Sequence, residues 1–350
     1  MADIHYLETP LETEALLERL CPPVRNWFKD KFPDFTRPQK LAIPAIIDQE
    51  HLLLCSPTGS GKTLTAFLSV IDQLVRRALD GKLEKRVYCV YISPIKALAN
   101  DIQRNLLGPL KEISDTYLPD RAQEIRVGLR TGDTPQSERQ KMLRKPPHIL
   151  ITTPESLAIA ITSPRFQPIV SEVEYMIIDE LHSLVPTKRG VHLALTLSYL
   201  DTLLTRPVQR IGISATMEPL ETVAEFLVAS DDQESRTEAT KVCIAKVSGS
   251  RELDLDILIT DPKFSDLSVM KIFDKNIEAV ADLIAAHNTT LVFANTRKMT
   301  ENIVLKLRPY LGDLVAGHHG SMDKKIRLDV EKKLKHGHLR AVVTSSSLEM

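Results

Sequence analysis

Two short stretches of the 350-residue chain carry side chains spaced for phosphate chemistry: "CSPTGSGKT", Cys55 to Thr63, and "YMIIDELH", Tyr175 to His182. In the first, Ser56, Thr58, Gly59, Ser60 and Gly61 precede Lys62 and Thr63. Small residues let several backbone N–H groups converge on one point, the lysine brings charge for the outer phosphates, and the threonine hydroxyl can ligate Mg2+. Ser56 stands where the pattern usually has its first glycine, at a position that mainly shapes the loop. In the second stretch three apolar residues lead to Asp179, placed to hold the water shell of magnesium, and Glu180 follows as the base for an attacking water. A Gly-Ser turn with a chance lysine, and an acidic pair that only caps a helix, are the plain alternatives. Both stretches follow an apolar run, and their joint occurrence favours nucleoside triphosphate hydrolysis with ATP and Mg2+ as cofactors. A guanine-reading N-K-x-D tetrapeptide is absent, which counts against GTP.

The elements that must position these residues are short β-branched runs alternating with longer segments of helical period. The runs are "HLLLC", "RVYCVYIS", "EIRVGL", "HILITT", "YMIIDE", "QRIGISAT", "TLVFAN" and "LRAVVT"; helical pieces include "LTAFLSVIDQLVRRAL" and "RGVHLALTLSYLDTLL". This alternation predicts an α/β fold with parallel sheets covered by helices on both faces. The polar stretch "SDDQESRTEAT" interrupts it after Ser230, so the expected division is a first domain over 1–235, a connecting segment over 236–275 and a second α/β domain over 276–350.

Composition excludes several classes. With 43% hydrophobic residues the chain can bury a core in each domain, and with a net charge of −1 any polyanion must be met by a local groove rather than a basic body. Cys21, Cys55, Cys89 and Cys243 are scattered without a C-x-x-C pair, and the histidines His318, His319, His336 and His338 match no familiar zinc spacing, so no zinc is expected and a reducing cytosol fits. No apolar run approaches the roughly 20 residues of a membrane span.

The stretches "RPQKLAIPAI", "CSPTGSGKTLTAFL", "ISPIKALANDI", "TTPESL", "IDELHSLVPTKRGVHLALTLSYL", "QRIGISAT", "TLVFANTR", "HHGSM" and "AVVTSSSLEM" occur in the order found in superfamily 2 helicases. Together they most resemble the large helicase-related (Lhr) family. The resemblance implies two RecA-like domains that clamp ATP in their cleft and grip a single strand. It casts Lys62, Asp179 and Glu180 as catalytic residues, with Thr63 and Asp179 on Mg2+. It makes Gln39 the adenine reader, and it makes His182, Ser214 and Thr216 the residues that couple the ATP site to strand movement.

For nucleic acid, the residues themselves offer helix starts. Thr153 reads as an N-cap with Pro154 at the first helical position, leaving free N–H groups for a backbone phosphate. Pro94 and Lys96 follow another strand end, and Arg130 and Gly132 a third. Each alone is as readily a simple cap; together they lie at strand ends, where open α/β sheets place ligands. In the second domain Asn295, Arg297, His319 and Ser345 fall in stretches that match the family's strand-contacting motifs, Ser345 standing where many relatives have threonine.

The reading is an ATP-dependent helicase or translocase acting on single-stranded or forked nucleic acid, DNA ahead of RNA, with 3′→5′ movement implied by the family alone. A nucleic-acid and ATP binding module without hydrolysis, and a P-loop kinase or switch ATPase, are the other classes. "AVVTSSSLEM" stops inside a motif that relatives continue into a strand with an arginine pair. The 350 residues are therefore expected to bind Mg-ATP yet hydrolyse it slowly or not at all, with the region after Asn276 the less stable half.

Overall fold

The computed structural model describes residues 2–57, 59–94, 102–228, 240–247, 254–260 and 268–345. The chain divides into two compact units, Met1–Ser250 and Arg251–Met350.

In the first unit, β1 (Asp3–Tyr6), β2 (His51–Cys55), β3 (Cys89–Ile92), β4 (Val127–Arg130), β5 (Ile149–Thr152), β6 (Tyr175–Ile178), β7 (Gln209–Ser214) and β8 (Lys241–Lys246) form one sheet in the order β1-β8-β2-β7-β6-β3-β5-β4. Every pairing is parallel. The apolar runs are continuous because both faces are covered. Leu52 and Leu54 of β2 pack with Tyr91, Ile177 and Ile211 on one side, while Leu53 joins Val90, Ile92, Met176 and Ile178 on the other. Helix Lys62–Leu79 buries Phe67, Leu68, Ile71, Leu74 and Val75. Each fully buried Leu or Phe contributes on the order of 1.5–3 kcal/mol.

One expectation is corrected. The segment 236–275 is not wholly a connection: Lys241–Lys246 is β8, inserted between β1 and β2, and Val269 begins the helix Val269–Ala286 of the second unit. The buried core of β8, Val242 to Ala245, has the same apolar character as its neighbours. β1 was not expected either, being four residues long and largely exposed.

The second unit holds β9 (Thr290–Phe293), β10 (Val315–His318) and β11 (Ala341–Thr344), parallel in the order β10-β11-β9. Helices Val269–Ala286 and Arg297–Leu311 cover one face through Ile277, Ile284, Val304 and Leu307 against Val315, Ala341 and Val343. Helix Lys324–Lys335 covers Val342 on the other through Val330. Leu291 and Phe293 of β9 are exposed. No described helix is long and apolar enough to cross a membrane.

Register decides which site residues come out level. At the carboxyl ends of the strands Cys55 is paired with Ser214, and Ile178 with both Gly212 and Ile92. Thr152 is paired with both Ile92 and Arg130. The loops after β2, β7 and β6 therefore adjoin one another, as do those after β3, β5 and β4.

Candidate functional site

The loop after β2 is held by its own small residues. Ser60 Oγ donates to the Pro57 carbonyl at 2.8 Å, which leaves Ser56 Oγ to donate to Ser60 Oγ at 2.7 Å. Gly61 has φ of +87°, a left-handed conformation that any side chain would strain, and it starts the helix that carries Lys62. Lys62 is only 9% exposed, and its Nζ donates to the carbonyls of Ser56 and Pro57 at 2.6 and 2.7 Å. Burial lowers its pKa, opposed by the charges of Glu180 and Asp179. Gly59 also has a positive φ, and Thr63 is half-buried in the first helical turn. Thr58 lies outside the described residues.

Gln39 reaches this loop from the helix Arg37–Ile47. It is buried, its Oε1 accepts from the Thr36 backbone N–H at 2.8 Å, and its Nε2 lies 3.3 Å from where a Cβ on Gly61 would be. The capping bond commits the amide oxygen, so Nε2 is the group left to donate toward a ligand at the loop.

Two strands along, Asp179 follows β6 and is 2% exposed. One carboxylate oxygen accepts from the Tyr91 hydroxyl at 2.5 Å and the other from the Glu180 N–H at 2.8 Å. Burial pushes its carboxyl up to about 6 against the Tyr91 hydrogen bond, and the Glu180 charge adds to the rise. A buried carboxylate raised this way is suited to a divalent cation, whose charge reverses the penalty. Glu180 itself has φ of +57°, an uncommon conformation for a non-glycine residue, and it heads the single-turn helix Leu181–Leu184.

His182 connects this acidic pair to the segment after β7. Its Nδ1 accepts from the Ala215 backbone N–H at 3.1 Å, so the neutral ring carries its proton on Nε2, which lies 3.1 Å from Glu180 Oε2. Burial lowers the His182 pKa and the Lys62 charge adds to the fall, favouring that neutral form. Ser214 is buried with its hydroxyl on Met217 Sδ at 3.0 Å, while Thr216 is exposed.

At the ends of β3, β5 and β4 the helix-start reading of Thr153 is seen directly: its Oγ1 accepts from the Ser156 N–H at 3.3 Å, and Pro154 begins the helix. Pro94 is buried at the end of β3, and Lys96 lies outside the described residues. Gly132 is exposed in a turn whose carbonyls are gathered by Arg139. Arg130 differs from expectation, because its side chain is buried with the guanidinium 4.7 Å from the Phe166 ring. In this arrangement its charge packs on an aromatic face instead of projecting past the strand end.

In the second unit Asn295 and Arg297 are exposed on either side of Thr296, the N-cap of the helix Arg297–Leu311. Arg297 Nη1 donates to Ser321 Oγ at 2.5 Å, and the buried His319 places Nε2 2.6 Å from Glu301 Oε1. Ser345 is partly buried just past β11.

Three participants were missed from the sequence. Tyr91, a phenol in an otherwise apolar run, needs a buried acceptor and finds Asp179; that need was the available signal. Arg139, which gathers the carbonyls around Gly132, and Arg189, whose Nε donates to Glu155 Oε1 and whose Nη2 donates to the Pro94 carbonyl, sit in helical surface patterns and gave none.

Residues 36–226 match the family model for "DEAD/DEAH box helicase", and residues 275–350 match "Helicase conserved C-terminal domain". The chain is 44% identical over 352 residues to the ATP-dependent helicase Lhr-Core of Methanocaldococcus jannaschii, covering all of this chain and 40% of that protein. It is 48% identical over 337 residues to Lhr-Core of Methanothermobacter thermautotrophicus, covering 95% of this chain and 38% of that one. The structure of Mycobacterium smegmatis helicase Lhr bound to ssDNA and AMP-PNP superposes with a TM-score of 0.77 at 39% identity, over 96% of this chain and 42% of that one. The chain thus spans about two fifths of the length of these relatives, and its two α/β units are RecA-like as expected.

Proposed function

Because the chain belongs to the DEAD/DEAH box helicase family, with relatives of the Lhr type, we propose that it is the ATP-driven motor portion of a helicase that moves along single-stranded or forked nucleic acid. The observation that carries this is the connection Glu180–His182–Ala215, a hydrogen-bonded link from the acidic pair to the segment after β7. A simple phosphate-binding enzyme has no need of such a link; a motor must tie bond cleavage to backbone movement.

The triphosphate lies along the loop after β2, where its outer oxygens take over Lys62 from the Ser56 and Pro57 carbonyls. Gln39 Nε2 donates to the adenine. Thr63 and Asp179 would hold Mg2+, which supplies charge neutralisation on the phosphates. Glu180 accepts the proton of the attacking water, and the His182 Nε2–H keeps its carboxylate oriented. The backbone N–H groups at the helix start marked by Thr153, with Pro94 and Gly132 lining the neighbouring strand ends, bind phosphates of the strand without reading its bases. Asn295, Arg297, His319 and Ser345 serve the same strand from the second unit. The ssDNA in the similar Lhr structure supports DNA ahead of RNA, and movement is 3′→5′.

The test is fluorescence anisotropy of labelled single-stranded DNA and RNA at several salt concentrations, beside phosphate release with and without the strand. Binding should weaken steeply with salt and depend little on base sequence, and the strand should raise whatever slow turnover the 350 residues support. Binding that ignores salt, or turnover indifferent to both nucleic acids, would sink the motor reading. Duplexes with a 3′ or a 5′ tail then report direction.

A further inference from the structure

Arg189 lies outside the residues assigned above to ATP, and its guanidinium joins two strand-end segments. Its Nε donates to Glu155 Oε1 at 2.6 Å, and its Nη2 donates to the Pro94 carbonyl at 3.0 Å. Pro94 is the residue where the chain leaves β3; Glu155 sits in the first turn of the helix Pro154–Ile161 that follows β5. Two separate backbone segments are thus held to one planar group, a task suited to the fixed fork of arginine.

The support for this fork is itself close-packed. Arg189 lies in the first turn of the helix Lys188–Leu203, and its neighbour Gly190 is where that helix meets the end of the helix Leu181–Leu184. A Cβ on Gly190 would lie 2.3 Å from the Leu184 carbonyl oxygen and 2.9 Å from its carbon, so only glycine permits the approach. The Arg189 backbone is therefore fixed to the segment that follows Asp179 and Glu180.

We infer that Arg189 is a positioning residue for strand binding: by clamping Glu155 to the Pro94 carbonyl it fixes the helix Pro154–Ile161, and with it the backbone donors at the start of that helix, against the end of β3. This rests on the proposed motor reading. The competing role is direct contact with a phosphate, since the Arg189 side chain is 44% exposed. The two roles give opposite results when Glu155 loses its charge. A clamp loosens, whereas a phosphate ligand is released from a competing anion and binds better.

The experiment uses the 350-residue chain and a labelled oligo-dT, comparing wild type, Arg189→Ala, Arg189→Lys, Glu155→Gln and the double variant Arg189→Ala/Glu155→Gln. Arg189→Ala and Glu155→Gln should each weaken binding about tenfold, and the double variant should be no weaker than the worse single, as for two groups acting through one contact. Lysine should recover part of the loss, because it can pair with Glu155 but has no planar fork for the carbonyl as well. The slope of log affinity against log salt should stay as in wild type, and affinity for a fluorescent ATP analogue should not change. Tighter binding by Glu155→Gln, or a salt slope reduced by about one in Arg189→Ala, would make Arg189 a phosphate ligand and overturn the clamp. Wild-type affinity in both single variants would also overturn it. A wild type that binds no single strand would overturn the motor reading, and the clamp with it.

Discussion

In the unit that ends at Ser250, Gln39, Lys62, Asp179 and Ser214 are all buried, whereas in the unit from Arg251 onward Asn295 and Arg297 stand in solvent and His318 and His319 are covered. Sheet structure runs in parallel with this. Lys62 and Asp179 follow, and Ser214 ends, strands enclosed on both faces, while β9, which leads to Asn295, leaves Leu291 and Phe293 exposed. Burying a polar group is costly unless a partner meets it. The first unit accordingly supplies one for each: loop carbonyls for Lys62, the Tyr91 hydroxyl for Asp179, the Thr36 N–H for Gln39 and Met217 Sδ for Ser214. Such groups are held in place before any ligand arrives. Exposed Asn295 and Arg297 cost little to hold and are correspondingly less constrained.

The largest expected effect tests whether chemistry belongs to the first unit. Glu180→Gln should lower phosphate release by about 10²–10⁴-fold, the scale of a general base, while the affinity for an ATP analogue is kept. Arg297→Ala should leave that affinity at the wild-type value. If it instead falls in Arg297→Ala, binding is shared and the contrast between the units fails.

Next in size is a stability difference within the second unit. Leu307 is fully buried, and Leu307→Ala should cost about 2–5 kcal/mol there. The single tryptophan, Trp27, is buried in the first unit and reports its unfolding separately. Faster hydrogen exchange in 268–345 with an unchanged Trp27 urea midpoint is the expected result. A midpoint that drops in step would mean that the units unfold as one.

Asp179→Asn sharpens the comparison from the other side, since it removes a buried charge and keeps an acceptor for Tyr91; its Nδ2 loses the bond from the Glu180 N–H, an offset that does not vary with pH. The carboxyl titrates at 3.8 when unperturbed and at about 6 when folded. Below the lower value both states are protonated and burial of charge costs nothing. Between the two the folded state binds more protons, so stability falls as pH rises, and above about 6 the whole penalty is present, roughly 3 kcal/mol at most. The variant should therefore be more stable than wild type at pH 7 by up to that amount, with the gap shrinking to about a third at pH 4.5. Urea melts followed by Trp27 measure it, and a gap that ignores pH would remove buried charge as the cause. The smallest effect is expected at β9: Phe293→Ser, at a side chain 58% exposed, should change stability by no more than about 0.5 kcal/mol.

Much of this was legible in the sequence wherever one local requirement chose the residues. β2, β3, β5, β6 and β7 were readable because burial on both faces demands continuous apolar runs, and the loop from Ser56 to Thr63 because a phosphate-binding turn demands small residues, lysine and threonine in order. Thr153 and Pro154 spelled their own helix start. "KVCIAK" gives little signal because it follows a polar stretch, although its four central residues are buried, and "VAGH" because glycine and histidine make a weak strand signal that its place beside β11 overrides.

By itself the sequence determined the α/β class, the small-residue loop after β2, the acidic pair after β6 and the helix start at Thr153, since these depend on residues within a few positions of one another. Only the tertiary structure decided what distant residues do together. It stacked Arg130 on Phe166, matched Tyr91 to Asp179, tied His182 to Ala215 and set Arg189 between Glu155 and Pro94. Parallel register brings strand ends level that are tens of residues apart in the chain, and a buried polar or charged group then bonds to whatever lies within about 3 Å. No local pattern encodes that neighbour, because the sheet order that supplies it is a property of the whole fold.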